Sequence, residues 1–493
     1  MYLSGARINI SQSIMLTRPL VLSQVLGATF AAISLFAFQW MNSAPGGWLI
    51  PVFAVVTAIT LAVAWQKSDA VRVLLARIQR VMPSRPGLAW LLGTVALGLT
   101  VRLVVAAAFP AKLVSDSEQY LDLAHSLAQG LDYSAPEGRA YWPPGLPLAT
   151  APLLLLFGSA APLIYNLITF MLAVIATFAL GLKLANRQVA GLSALFVAIW
   201  PNFVFATPLL NKECLLIVLW PTAVFLYLLA SENASNRKAC IYALAAGASI
   251  GYAALTQPSG ALLGGCFALF SLLTIGWRRR TGVCLLAAAC GAVAVVTPWT
   301  IRNYEVFHAF VPIATEGGVN FYMVTQPESD GRWTENYESE EATSRLSSDE
   351  LARNEHGFIL GIKSIQDHPI HFWSTIMRKP FYLFGKDVNN SYWIFERGGV
   401  GTAREYAVAY WVSNGFYLII ILLITSFALR KTYTADTSPA LILPWMFVLY
   451  PIFAHSLFET AERHRYAIMP LTAIFAAMAI CFPGSDRNDW TRR

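Results

Sequence analysis

Long apolar stretches separated by short basic ones run along almost the whole chain. A membrane-spanning helix needs roughly 20 mostly apolar residues. Scanning for such runs gives about twelve, starting near Pro19, Trp48, Leu88, Leu163, Val189, Glu213, Ala239, Ser259, Gly282, Tyr406, Pro439 and Arg465. Helices are the economical reading, because an open sheet edge would leave backbone amides unpaired in lipid. Barrel strands would instead give short alternating segments. The first run is too long for a signal-peptide core and has no clear small-residue cleavage site, so the pattern predicts an uncleaved anchor.

The short connections orient the chain. Lys67, Arg72, Arg77, Arg80 and Arg85 lie between the second and third runs, Lys183 and Arg187 follow the fourth, and Arg237 and Lys238 follow the sixth. Arg278, Arg279 and Arg280 follow the eighth, Arg430 and Lys431 the tenth, and Arg487, Arg492 and Arg493 end the sequence. Every second connection is basic, which puts both termini in the cytoplasm by the positive-inside rule. Two long polar segments, residues 110–162 and 302–405, then fall outside. Segments of that size do more than connect. The expected organisation is an N-terminal hairpin with a basic linker (1–87), a core with the first external loop (88–301), a large external loop (302–405) and C-terminal spans (406–493).

Within the first loop, Leu113, Tyr120, Leu121, Ala124, Leu127 and Ala128 recur at helical spacing, with polar residues opposite. This predicts an amphipathic helix on the membrane surface, capped near Ser115. The run 146–157 is too short to span and is expected to dip or lie flat. Residues 370–384, rich in aromatics, are a second candidate for interfacial packing.

Composition sharpens the class. Of 493 residues 56% are hydrophobic and only 13% charged, against about 25% charged in ordinary soluble proteins; mean hydropathy is +0.53. Disorder, a coiled coil and an ordinary soluble enzyme are excluded. The net charge of +7 is what cytoplasmic loops supply, and it does not argue for nucleic acid. The six cysteines lie in or beside apolar runs without a CxxC pair, which argues against a zinc site and a disulfide framework.

Candidate chemistry sits among the few outer charges. Asp116 and Glu118 stand just beyond the third run, where they suit a general base, ligands to a divalent ion, or favourable charge at a helix start. Tyr120 follows one turn later. Tyr141-Trp142-Pro143-Pro144-Gly145 reads as a rigid turn. Lys212 and Glu213 open a helix and could form a surface pair. Arg102 lies inside the third run, a site candidate by default or a side chain snorkelling outward. Arg302, Arg463 and Arg465 are outer cations against the positive-inside trend, and guanidinium suits a lipid phosphate; pairing with Glu459 or Glu462 is the alternative. His455 and His464 are a weak metal signal. No P-loop, HExxH, GxSxG or dinucleotide fingerprint occurs.

The order of these features resembles a known group. The pieces are Ser115-Asp116-Ser117-Glu118-Gln119-Tyr120, Trp142-Pro143-Pro144-Gly145-Leu146-Pro147, Gly251-Tyr252-Ala253-Ala254-Leu255-Thr256-Gln257-Pro258, Pro298-Trp299-Thr300-Ile301-Arg302-Asn303-Tyr304 and Arg463-His464-Arg465-Tyr466. Together they look like the GT-C membrane glycosyltransferases, in particular the bacterial family 39 group, which is similar to protein O-mannosyltransferases and the aminoarabinose transferase acting on lipid A.

That resemblance implies an all-α polytopic bundle, a polyprenyl-phosphate sugar donor and an acceptor (glycolipid, glycan or protein) on the outer face of the inner membrane. It implies that Asp116 is catalytic, with Glu118 beside it. Donor phosphate would fall to Arg302, Arg463, Arg465 and Tyr466. Tyr120, Lys212, Glu213 and Arg102 are further candidates, and a divalent metal is left open. Tyr141 and Trp142 stand where the aminoarabinose transferases carry an acidic–basic pair, and Gln257 where an Arg is common. Two other readings compete: a ligase or polymerase of lipid-linked oligosaccharides, and a flippase or transporter of lipid-linked sugars. A transporter should show paired broken helices in two halves, and no such repeat is present.

Overall fold

A computed structural model of the chain describes residues 86–276, 278–333, 349–428 and 439–482, with 25–34 and single positions at 23, 37, 73, 77 and 83. In chain order the helices are α1 (Leu88–Ala108), α2 (Asp116–Ala128), α3 (Gly145–Phe157), α4 (Ala161–Leu184), α5 (Arg187–Ile199), α6 (Pro201–Phe205), α7 (Glu213–Glu232) and α8 (Asn236–Thr256). They continue as α9 (Gly264–Thr274), α10 (Arg279–Phe307), α11 (Gly317–Thr325), α12 (Glu350–Asp367), α13 (Pro369–Phe384), α14 (Asn389–Tyr392), α15 (Ala403–Ala428), α16 (Ile442–Leu457) and α17 (Met469–Cys481). Among the described residues the β structure is one isolated bridge, Ala135 with Gly138. The protein is an all-α polytopic membrane protein.

Eight helical stretches are long and apolar enough to cross a membrane. The runs near Val189 and Ser259 give shorter apolar helices, Arg187–Ile199 and Pro258–Thr274, and of the run near Pro19 the described helical stretch is Val25–Ser34. Local chemistry sets two of those limits. The Asn186 side chain accepts from the Val189 amide and starts α5, and Pro201 follows its end at Trp200. Pro258, which lacks an N–H, interrupts the helix after α8 and opens a 3-10 turn. The run near Trp48 lies outside the described residues, as do Arg7, Arg18, Lys67, Arg72, Arg80, Arg85, Arg430, Lys431, Arg487, Arg492 and Arg493.

Burial separates inner from outer helices. In the last span every residue from His464 to Ile480 is buried within the protein, whereas only 17% of the apolar window of α1 and 22% of that of α10 is buried. The last span is thus the axis, and α1 and α10 present their apolar side chains outward. α8 and α10 approach closely because glycines face each other's backbone. A Cβ on Gly247 would sit 1.8 Å from the Ala288 carbonyl oxygen, and one on Gly291 2.0 Å from that of Leu244. Small residues replace the hydrophobic drive that lipid cannot provide between helices.

The segment 110–162 corrects two expectations. α2 does not lay its apolar face on a lipid surface; Leu121, Ala124 and Ala128 pack on Leu153, Leu154 and Ala161 of α3 and α4. Ser115 occupies the N-cap position without a side-chain cap, at φ +54° and ψ −133°, a backbone strain of order 1–3 kcal/mol for a non-glycine residue. α10 stays helical through Arg302 to Phe307, so the segment 302–405 opens with the end of that helix.

Candidate active site

The strained Ser115 turn delivers Asp116 as the first residue of α2. Its carboxylate meets Arg463 from the 3-10 turn Glu462–Ile468, with Nη1 2.9 Å from Oδ2. Arg463 Nη2 lies 3.9 Å from Glu459. The pair is partly open, with side-chain exposures of 31% for Asp116 and 20% for Arg463. It lines a cleft with Val114, Ser117, Leu209, Asn211, Asn389 and Trp393. Burial raises the Asp116 carboxyl, but the charges of Arg463 and Lys212 and hydrogen bonds from Arg463 and Ser115 bring it below the usual carboxylate range. It is therefore ionised at neutral pH and able to accept a proton. Arg463 Nε is buried without a partner, a donor that an incoming anion would satisfy.

Around the pair stand Tyr120, Lys212, Glu213 and Glu316. Tyr120 is 2% exposed, packs edge-on to Trp142 at 5.2 Å and has an unpaired hydroxyl. Burial lifts its phenol well above its ordinary range. Lys212 Nζ lies 6.0 Å from the Tyr120 ring centroid. Glu213 is buried, with one carboxylate oxygen unpartnered. Glu316, at the start of α11, is pushed up to about 7 by burial; Lys212 and Arg463 lower it while Asp116 and Glu459 raise it. Burial also raises Glu459, against the pull of Arg463.

A brace behind the cleft holds the first external loop. Tyr252 Oη donates to Gly145 O at 3.0 Å, so the Pro-Pro-Gly turn meets the motif that ends α8. Trp299 Nε1 donates to Ile313 O at 2.8 Å, with its ring against Tyr133. Glu350 accepts from the Arg139 and Ala140 amides and from Thr315 Oγ1 at 2.7, 2.9 and 2.6 Å, joining the two external segments. Lys379, 3% exposed, donates to Ser456 O and Phe458 O at 2.9 and 3.0 Å and so fixes the loop carrying Glu459. Burial brings its ammonium down to about 7, with Glu459 opposing.

The fold is similar to that of solved structures. The oligosaccharyltransferase of Archaeoglobus fulgidus in the apo form matches over 80% of this chain and 50% of its own, at 12% identity and TM-score 0.50. The same enzyme tethered to an acceptor peptide containing the NVT sequon matches over 80% and 49%, at 12% identity and TM-score 0.50. ArnT from Cupriavidus metallidurans bound to undecaprenyl phosphate matches over 80% and 78%, at 15% identity and TM-score 0.42. The chain has the GT-C fold. It spans about half the length of the Archaeoglobus enzyme it matches. No protein-family model and no curated protein matches it.

The GT-C fold brings together some of the residues singled out in the sequence and separates others. Asp116, Arg463, Tyr120, Lys212 and Glu213 converge. Glu118 is exposed, since two residues along a helix turns it away from Asp116. Arg302 is spent on backbone: Nη1 donates to Arg139 O at 2.7 Å and Nη2 to Tyr133 O at 3.0 Å, while the guanidinium lies 4.9 Å over Trp299. Arg465 is 1% exposed and pairs with Asp387 at 3.0 Å; it also donates to Leu383 O and Lys386 O. Asp387 accepts further from Trp200 Nε1 at 2.7 Å and Asn202 Nδ2 at 2.8 Å, and Asn202 also bonds Tyr466 Oη. Arg465 and Tyr466 thus belong to an enclosed hub and do not line the cleft. Arg102 neither snorkels nor faces the cleft: at 2% exposure it donates to Ala198 O at 2.6 Å and stacks 3.6 Å over Phe170.

The histidines serve each other. Their rings stack at 4.2 Å. His455 Nδ1 donates to Glu459 O at 2.7 Å, leaving Nε2 to accept from Gln257 at 3.2 Å. His464 Nδ1 accepts from the Ala461 amide at 3.2 Å. Among the described residues no three His, Cys, Asp or Glu side chains gather as a metal-holding group. Sequence reasoning missed Glu316, Glu350, Lys379, Asp387, Asn389 and Trp393. All lie in the large external segment, outside every motif, so no spacing pointed to them.

Proposed function

We propose that this protein is a GT-C glycosyltransferase that moves a monosaccharide from a polyprenyl-phosphate donor to an acceptor on the outer face of the cytoplasmic membrane, with both termini in the cytoplasm. The observation that carries the reading is the open Asp116–Arg463 pair, which joins residues 347 positions apart in one cleft. Asp116 is the base: it takes the acceptor hydroxyl proton as the new C1–O bond forms. The C1–O bond to phosphate breaks, and its electron pair leaves on the phosphate. Arg463, with its unpaired Nε, and Lys212 stabilise the charge that develops there. Phosphate is a good leaving group, so the reaction calls for little general acid, and direct displacement inverts the anomeric carbon. Arg302, Arg465 and Tyr466, whose hydrogen bonds go to backbone and hub partners, act as supports.

A larger donor is the second reading, because the Archaeoglobus relative in fold is named an oligosaccharyltransferase. One assay addresses both. Purified protein in lipid is given polyprenyl phosphates carrying one sugar or several, and free polyprenyl phosphate is measured. We expect release from single-sugar donors, and its loss in Asp116→Asn and Arg463→Ala. Undiminished release in Asp116→Asn would remove the base assignment. Release from oligosaccharide donors alone would favour the second reading. Labelled lipid crossing the bilayer without release would point to a flippase.

A further inference from the structure

One wall of the cleft has no part in the chemistry above. Asn211, Asn389 and Trp393 line it, with Ser117 and the apolar Val114 and Leu209, in the same cleft as the Asp116–Arg463 pair. Two places supply these residues: Asn211 precedes α7, while Asn389 opens α14 and Trp393, one turn on, begins a π turn, Trp393–Arg397. Single π turns are frequent at functional sites.

The wall is held from behind. Asn211 Nδ2 donates to Asn390 Oδ1 at 2.8 Å. The Asn390 backbone amide in turn donates to Asn202 Oδ1 at 3.1 Å, and Asn390 Nδ2 donates to Asn202 O at 2.8 Å. Asn202 and Asn390 are 0% and 1% exposed, so the support is rigid. The half-buried Trp393 ring is steadied by Tyr392 edge-on at 5.9 Å and by Arg397 at 5.9 Å from its centroid. Among the described residues, the Asn389 carboxamide and the Trp393 indole N–H have no hydrogen-bond partner, and Asn211 Oδ1 has none either.

Those are the groups a sugar ring asks for. A pyranose has apolar C–H faces that lie on an aromatic ring, and hydroxyls that both donate and accept, as carboxamides do. Of the residues lining the cleft, Asp116 and Arg463 carry charge, and they pair with each other at 2.9 Å. A charged substituent on the ring would lose hydration against the Asn211, Asn389 and Trp393 side, which offers it no charged partner.

Resting on the transferase reading, we infer that Asn211, Asn389 and Trp393 form the subsite for the donor's sugar ring, beside the phosphate-binding Arg463, and that the transferred sugar is uncharged. The amides then set specificity, and the indole sets the plane of the ring.

The test uses the full chain in lipid with three polyprenyl-phosphate donors, carrying a neutral hexose, an amino-pentose or a hexuronate, and reads kcat/KM for polyprenyl phosphate release. We expect the neutral donor to lead by at least about tenfold, the scale that an unpaired buried polar group imposes. Trp393→Ala should lose at least about tenfold, and Trp393→Phe should recover most of it, because the aromatic face remains. Asn389→Asp, which adds a carboxylate to the wall, should shift the ratio of amino to neutral donor by about tenfold towards the amino sugar. A purely structural role would lower all donors alike and leave that ratio fixed. An unmoved ratio in Asn389→Asp, full turnover in Trp393→Ala, or wild-type preference for a charged donor would each overturn the subsite. Release from no donor at all would instead sink the transferase reading itself.

Discussion

Arg463 and Arg465 share one 3-10 turn, and each meets an aspartate at about the same distance, 2.9 and 3.0 Å. Their surroundings differ. Asp116 and Arg463 are 31% and 20% exposed at a cleft, while Asp387 and Arg465 are 0% and 1% exposed. The outer aspartate is held below the ordinary carboxylate range, because neighbouring cations outweigh its burial. The inner one is raised above it, because full burial outweighs Arg465, Trp200 and Asn202 together. Pairing does not by itself decide what a charged residue does. Desolvation decides it. Each arginine has an unpartnered, buried Nε, but the Arg463 side chain is 20% exposed at the cleft, whereas Arg465 is wrapped by Asp387, two backbone carbonyls and the Tyr417 ring at 4.3 Å.

The largest expected effect strikes the inner pair. Asp387→Ala strands Arg465 as an unpaired buried charge, and thermal unfolding in detergent should show a loss of about 3–5 kcal/mol. A loss below 1 kcal/mol would erase the contrast. Next comes Asp116→Asn. Removing a base costs about a hundredfold or more in turnover, while stability should change by less than about 1 kcal/mol, as for exposed pairs. A large drop in melting temperature would make the outer pair structural too.

Glu316 sharpens the role of burial, because no hydrogen bond or ion pair offsets it. Its folded value of about 7 lies above its ordinary 4.5. Its share of stability is therefore full below pH 4.5 and is lost as pH rises through about 7. Glu316→Gln should be more stable than wild type at pH 8, on the order of 2 kcal/mol, with the gap closing as pH falls towards 4.5. A gap independent of pH would refute this account. The smallest effect belongs to Tyr466→Phe, which deprives Asn202 of one hub partner and should cost about 1 kcal/mol with turnover preserved. A collapse of turnover in that variant would put Tyr466 back in the chemistry.

Much of the scaffold was legible. The starts of α1, α7, α8 and α10 are close to the predicted ones, because a lipid environment leaves the backbone few options other than a helix and marks each with an apolar run. Asp116 was legible from its place beyond an outer helix end. Arg463 and Arg465 were not separable. Both are basic, outer and one residue from His464, and only their orientation on the turn assigns one to the cleft and one to the hub. Arg302 suggested phosphate by its charge, while the partners its guanidinium meets, the carbonyls of Tyr133 and Arg139, carry no sequence signature. Glu316, Asn389 and Trp393 carry no motif at all, since a carboxylate, an amide or an indole in a long loop reads the same wherever it faces.

By itself, then, the sequence determined an all-helical membrane protein with few charges, through local rules of apolar run length and composition. Only the tertiary structure decided which of those charges face a cleft. The deciding contacts join Asp116 to Arg463 and Asp387 to Arg465, 347 and 78 residues apart. Desolvation depends on everything packed around a group, and no local pattern in the chain encodes it.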